Sequence, residues 1–216
     1  MTLLTSADRA SSYLACKRCL DILLSALILL LSSPVLALAA LAVWIETGAP
    51  VLFRQERVGR GFSRFQILKL RSMRVESPGP LLTVAGDRRI TRVGRVIRAA
   101  KIDELPQLWN VLRGEMSLVG PRPMVLEVVE SCAERYQKIL TVRPGITDLA
   151  SIYYRNEEQL LAQARDPQHE YRARILPLKL KLAEKYLRER SGMVDFAIML
   201  RTAAVTLLPA LYRELE

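Results

Sequence analysis

The chain has 216 residues, half of them hydrophobic, with 32 Lys+Arg against 22 Asp+Glu and a formal charge of +10, which is enough for one medium domain with a real core. Three cysteines, Cys16, Cys19 and Cys132, form no disulfide framework and fit a reducing compartment, and Cys16-x-x-Cys19 lacks the second pair a zinc site needs. The single histidine, His169, excludes a His-rich metal site and argues against a Ser-His or Cys-His triad; no Walker-type phosphate loop occurs, and "GRGFSR" at 59–64 is only a fragment of a dinucleotide fingerprint.

The first element in chain order is apolar. From Ile22 to Ile45 there are 24 residues without a charge, long enough to cross a bilayer. Basic residues flank it on both sides, Lys17 and Arg18 before and Arg54, Arg57 and Arg60 after. The positive-inside rule therefore gives no orientation, and the basic segment that follows opposes export of a signal peptide. Pro34 in "SSP" has no N–H to give and crowds the preceding turn. Ser32 and Ser33 can bond the carbonyls it frees. Each half is about 12 residues, or roughly 18 Å, short of the roughly 30 Å hydrocarbon core. A helix that enters, breaks at Ser33 and Pro34 and returns keeps both basic flanks on one side of the membrane. A kinked spanning helix is the other reading.

The segments "PVLFRQERVG" (50–59) and "FSRFQILKLRSM" (62–73) predict a small β-hairpin around Gly59 and Gly61. The breakers from "ESPGP" (76–80) to Gly86 predict a loop. Ile90, Val93 and Ile97 recur at helical spacing over 90–100, with Arg92, Arg95 and Arg98 on another face. Between Arg54 and Lys101 there are 13 basic and 3 acidic residues, the whole of the net charge. Such a stretch is suited to anions: nucleotide phosphates, anionic lipid or nucleic acid.

"KIDELPQLWN" (101–110) then sets Asp103 and Glu104 side by side after the arginines. One reading is structural: Asp103 caps a helix over 104–112, with Pro106 in its first turn. The other is chemical. Adjacent carboxylates can hold Mg²⁺, and one of them can attack phosphorus to give an acyl phosphate. Arg98, Lys69, Arg71, Arg122 and Arg143 are candidates for the phosphate contacts, the last two in the rigid turns "GPRP" (120–123) and "RPG" (143–145). Residues 157–190 read as helical, broken near Asp166-Pro167 and at Pro177, and 195–212 as an interfacial or core helix.

"VLFRQERVG", "FQILKLRSM", "TRVGRVIRAAKIDELPQLWNVLRGEMSLVGPRP" and "VRPGIT" together resemble the bacterial sugar transferases, the monotopic phosphoglycosyl transferase superfamily, from near Lys17 to about Thr147. The resemblance implies an α+β, mainly helical fold: a re-entrant membrane helix in residues 1–50, then a compact cytoplasmic catalytic domain, 51–216, with a small hairpin and interfacial amphipathic helices. It implies transfer of a phospho-sugar from a nucleotide-sugar donor, a UDP-sugar, to polyprenol phosphate at the cytoplasmic face of the inner membrane. Asp103 takes the nucleophile's position, Glu104 its partner's, Arg98 the phosphate-binding arginine's and Ser33-Pro34 the helix break's. The implied cofactor is Mg²⁺, held at Asp103 and Glu104. The implied partners are donor, acceptor and membrane lipid, with no nucleic acid and a homodimer as one option. The competing reading is a membrane-anchored basic protein that binds nucleic acid or anionic lipid. Two departures from the family pattern bear on the sugar. Asp148 stands where many members have glycine, and Ala183 and Glu184 lie where many carry an acidic residue near a tyrosine.

Overall fold

The computed structural model describes the backbone of residues 6–74 and 82–207, with side chains from Ser12 to Arg74 and from Leu82 to Thr206. Most of the loop expected at 76–86 lies outside these residues. The fold is mainly helical. A 42-residue helix α1 (Ser6–Thr47) leads into the antiparallel hairpin β1 (Leu52–Val58) and β2 (Arg64–Leu70). Then come α2 (Arg92–Ala99), a 3-10 turn Ile102–Glu104, and α3 (Gln107–Leu112). Strand β3 (Ser117–Val119) pairs in parallel with β4 (Gly145–Thr147) across α4 (Leu126–Ser131) and α5 (Ala133–Ile139). The remainder is α6 (Leu149–Tyr153), α7 (Glu157–Gln163), α8 (Pro167–Glu170), a π-helical turn Tyr171–Ile175, α9 (Leu176–Glu189) and α10 (Gly192–Leu207).

The hairpin forms where the sequence placed it. Asp166 caps α8 as a breaker should, its carboxylate accepting from Gln168 and His169 N–H. Pro177 does not break the chain into two helices, because it falls in the first turn of α9, where the missing N–H is harmless. The helix expected at 195–212 is α10; residues 208–212 lie outside those described.

Ser33-Pro34 does not interrupt α1 either: the helix runs through Pro34. The reason is local. Proline at 34 deprives the Leu30 carbonyl of its usual N–H partner. The Ser33 hydroxyl donates to that same Leu30 oxygen at 2.8 Å, and Ser32 Oγ donates to Ile28 O at 2.6 Å. A serine immediately before the proline thus supplies the hydrogen bond the proline removes, in an apolar segment where an orphaned carbonyl is expensive.

Both ends of α1 are fastened to the rest of the protein. Near its start, Arg18 donates to the carbonyls of Val111 and Leu112 (2.8 and 3.1 Å). Asp21, buried, accepts from Ser117 Oγ (2.7 Å) and Leu118 N (3.1 Å). Lys17 and Tyr13 meet Asp195 Oδ2 at 2.8 and 2.9 Å, while Tyr186 donates to Asp195 Oδ1 at 2.8 Å. At the far end, Glu46 accepts from the first N–H groups of α2, Arg92 and Val93 (2.8 and 2.9 Å). Arg71 binds the closing carbonyls Thr47 O and Gly48 O. Between the clamps, Leu24 and Leu29 join the cluster around Leu108, Leu118 and Ile198, and Leu36, Ala39 and Val43 join Leu70 and Ile97. Leu30, Leu31, Ser33, Pro34 and Val35 remain exposed. A second core, around Val58, Tyr136, Leu161, Ile175 and Leu180, holds the helices of the C-terminal half.

The Ser33–Leu30 bond is testable by a double-mutant cycle. Ser33→Ala should cost about 1–3 kcal/mol in the wild-type background, because it orphans a carbonyl. In a Pro34→Ala background, where the backbone N–H returns, it should cost less than about 0.5 kcal/mol. Thermal unfolding in nanodiscs reads both; equal costs would remove the substitution argument.

Candidate active site

Three backbone constraints place the acidic pair. The first is Gly94: a Cβ there would lie 2.1 Å from Ser72 O, so α2 can pack on the end of β2 only with glycine at this position. The second is the left-handed Lys101 (φ 57°), which turns the chain sharply after α2 and directs Asp103 inward. The third joins the two proline turns. Gly120 N–H donates to Thr147 O and Gly145 N–H to Pro121 O, and a Cβ on Gly145 would sit 2.1 Å from Gly120 N. This contact fixes Arg122 two residues later. Buried Asn110 completes the frame by filling the open edge of β2. Its Oδ1 accepts from Leu68 N (3.1 Å), and its Nδ2 donates to Gln66 O (2.8 Å) and Glu115 Oε2 (2.6 Å).

Inside this frame the two carboxylates differ. Glu104 Oε1 receives both Lys69 Nζ at 2.7 Å and Arg122 Nη2 at 2.5 Å. Burial alone would raise the Glu104 pKa, but Arg122, Lys69 and Lys101 outweigh it and hold the carboxyl well below its ordinary value. Lys69 is pulled below the usual lysine range by burial, against the opposing pull of Glu104. Asp103 is 4% exposed, and its Oδ1 has no hydrogen-bond partner. Burial first, and then the neighbouring Glu104 charge, raise its pKa, while Lys69, Arg98 and Lys101 oppose the rise. One carboxylate is neutralised and fixed; the other is buried and uncommitted.

Asp103 is not a helix cap. It lies within the 3-10 turn, and α3 starts after Pro106 with no side-chain cap. The carbonyls of Leu105 and Pro106 accept from Leu108 and Trp109 N–H (3.0 and 3.1 Å), so the preceding turn supplies the acceptors a capping side chain would have given.

The fold brings Lys69, Arg122 and Arg98 to the pair, Arg98 close enough to influence Asp103, and takes Arg71 and Arg143 elsewhere. Arg98 is ion-paired with Glu158 of α7. Arg71 closes the end of α1, and Arg143 donates to Gly114 O at 2.8 Å. Sequence reasoning missed Arg57. It lies in β1 near Arg122 and Tyr171, its Nε is buried without a partner, and burial reinforced by the Arg122 charge pushes its pKa down to about 10. Its place in "RQERVG" beside other exposed arginines gave no sign of burial. Of the two departures, Asp148 accepts from Arg122 N (3.1 Å) and caps α6 through Ser151 N (2.6 Å). Ala183 fills the C-terminal core, while Glu184 pairs with Arg135 at 2.6 Å. Among the described residues, no group of three or more His, Cys, Asp or Glu side chains gathers to hold a metal.

The family model for the bacterial sugar transferases matches residues 12–209, which include every side chain of this cluster. The chain belongs to that family. It is 52% identical over 145 residues to a UDP-glucose:undecaprenyl-phosphate glucose-1-phosphate transferase of Caulobacter vibrioides, covering 63% of this chain and 53% of that protein. It is 38% identical over 192 residues to the Escherichia coli protein of the same name, covering 86% of this chain and 39% of the relative. A UDP-N-acetylgalactosamine-undecaprenyl-phosphate N-acetylgalactosaminephosphotransferase of Aeromonas hydrophila is 42% identical over 147 residues, covering 66% and 35%. The chain therefore spans about half or less of the length of these relatives. Their named sugars differ, so identity at this level separates the family from others without selecting a sugar.

The contrast between the carboxylates gives a stability test. The folded state holds the Asp103 proton more tightly than the unfolded chain does. That stabilisation is full below the unfolded value near 3.9 and is lost as pH rises through the raised folded value. Asparagine never ionises, so Asp103→Asn should raise the unfolding free energy at pH 8 by about 1 kcal/mol or more, with the gain fading toward pH 4. A capping aspartate would show no gain at pH 8.

Proposed function

We propose that this protein transfers a phospho-sugar from a UDP-sugar to polyprenyl phosphate through a covalent intermediate on Asp103. The observation that carries the reading is the buried, unpartnered Asp103 Oδ1 beside a glutamate already neutralised by Lys69 and Arg122. The relatives' names supply the substrate classes. Ionised Asp103 attacks the β-phosphorus of the donor. A P–O bond forms to the carboxylate, and the bond to the nucleoside monophosphate breaks, its electron pair leaving with that group. A phosphate oxygen of the acceptor then attacks the same phosphorus, the acyl phosphate P–O bond breaks, and Asp103 is regenerated with polyprenyl-diphosphate-sugar as product. Arg98, Arg122 and Lys69 hold the phosphate oxygens as charge shifts between them.

The residues fit Mg²⁺: an uncommitted carboxylate oxygen lies beside a second carboxylate, and Mg²⁺ characteristically takes one or two carboxylates and completes its shell with water and substrate phosphates. Asp103 and Glu104 would hold the ion, which when bound neutralises diphosphate charge.

The proposed setting is monotopic, on the cytoplasmic face of the inner membrane. Helix α1 is apolar and long enough to cross a bilayer, and at 42 residues it measures about 63 Å. Its fastening to one body at both ends favours a shallow course that enters and leaves by one face, bending at Pro34 within the continuous helix, over a free crossing. Exposed apolar side chains on neighbouring helices, Val96, Trp109, Met193, Phe196 and Leu200, supply further surface for a lipid interface. In the competing lipid- or nucleic-acid-binding reading, the 54–101 cations would lie free, yet Lys69, Arg71 and Arg98 make internal contacts.

The deciding experiment follows nucleoside monophosphate release from a panel of UDP-sugars with Mg²⁺ and polyprenyl phosphate. Asp103→Asn should lower turnover by several orders of magnitude. Wild type given donor without acceptor should gain one phospho-sugar on the Asp103 peptide. An active Asp103→Asn enzyme would refute the nucleophile, and an adduct on Glu104 would reverse the two roles. Glu158→Gln should lower the donor KM several-fold by releasing Arg98, whereas Arg98→Ala should abolish most turnover; an unchanged donor KM in Glu158→Gln would show that the ion pair does not compete with substrate.

A further inference from the structure

An apolar groove of about 360 Å³ runs between the second half of α1 and the side of α2 that faces it. Ala39 and Ala42 form part of one wall, Val93, Val96 and Ile97 form the other, and Ile102 belongs to the same lining. The volume falls within the range of small-molecule sites. Resting on the function proposed above, we infer that this groove seats the first isoprene units of the polyprenyl phosphate acceptor and leads its phosphate to Asp103.

Continuity with the reaction centre is the first argument. Ile102 is the residue before Asp103, and both lie in the one 3-10 turn, so the apolar lining reaches the residue next to the reactive carboxylate. An acceptor phosphate at Asp103 must have its hydrocarbon leave from that point, and a polyprenyl chain cannot leave through the polar cluster of Lys69, Arg122 and Glu104.

The direction of the groove agrees. Glu46 binds the first residues of α2, so the beginning of α2 faces the end of α1, and Ile97 and Ile102 face back toward Val35 and Leu38. Val35 and Leu38 are exposed on the apolar part of α1. The groove therefore joins the reaction centre to the surface most suited to hydrocarbon.

Charge is the third argument. Lys101, exposed and next to Ile102, forms no ion pair among the described residues and stands two residues before Asp103 at the start of the same turn. A monoester phosphate arriving along the groove meets this cation first. Alanines opposite β-branched side chains also leave width for a methyl-branched chain.

The test uses the full chain in phosphatidylcholine nanodiscs and a polyprenyl phosphate bearing a diazirine in its first isoprene unit. Light should label peptides within 35–42 or 93–102. Excess unlabelled polyprenyl phosphate should suppress that label at least five-fold, while the same excess of phosphatidic acid leaves it. Ala42→Phe fills the groove and should cut labelling several-fold and raise the acceptor KM about ten-fold, with the donor KM within two-fold of wild type. Val96→Trp, at an exposed position that tolerates bulk, should repeat the effect if Ala42→Phe does not fold. Label elsewhere, equal competition by phosphatidic acid, or an unchanged acceptor KM in a folded variant would overturn the assignment. The labelling needs no turnover. A protein that binds the probe in the groove but releases no nucleotide would therefore fail the catalytic reading and keep the site.

Discussion

One oxygen atom, Oε1 of Glu104, holds the candidate site together. It receives a lysine from β2 and an arginine from the turn after β3, so three segments distant in sequence converge on one point. A buried ion pair of this kind adds little net stability, because removing the charges from water offsets much of their attraction. What it does is specify geometry. With Glu104 satisfied, its neighbour Asp103 is left as a buried carboxylate whose oxygen has no assigned partner. The asymmetry between two adjacent acids follows from which of them the cations reach.

That convergence depends on backbone contacts too tight for side chains. Gly120 against Gly145 fixes Arg122, Gly94 against Ser72 fixes α2, and Asn110 substitutes for a strand along the edge of β2 that carries Lys69. Asp148 belongs to the same frame, since it binds the Arg122 backbone and caps α6. The departure from the family's glycine at that position therefore has a structural role beside the site.

Much of this was legible in sequence where the signal is local. The hairpin follows from alternating apolar residues around Gly59 and Gly61, and the acidic pair stands out against thirteen cations. Lys69 and Arg122 were candidates by charge and come together; Arg71 and Arg143 were candidates by the same reasoning and serve backbone carbonyls instead. Residue type alone cannot tell a phosphate ligand from a helix closure, because both use a guanidinium against oxygen. Pro34 was legible as a defect, but its repair by Ser33 depends on which carbonyl a rotamer reaches. The Asp195 hub was not legible at all. Its partners Tyr13 and Lys17 lie 182 and 178 residues away, and nothing local to Asp195 announces them.

The fastening of α1 bears on the order in which the protein is made. Translation produces α1 well before β3, whose Ser117 lies 96 residues beyond Asp21, and longer still before Asp195. During that interval Asp21 and Lys17 lack the partners they will have in the finished protein, and one face of α1 presents groups that only the later chain can satisfy. Helix α1 is thus a surface on which the later polypeptide closes, and its contacts with Asp195 can form only once α10 has been made. A chain stalled before α10 therefore leaves Tyr13 and Lys17 without the carboxylate they bind in the folded protein.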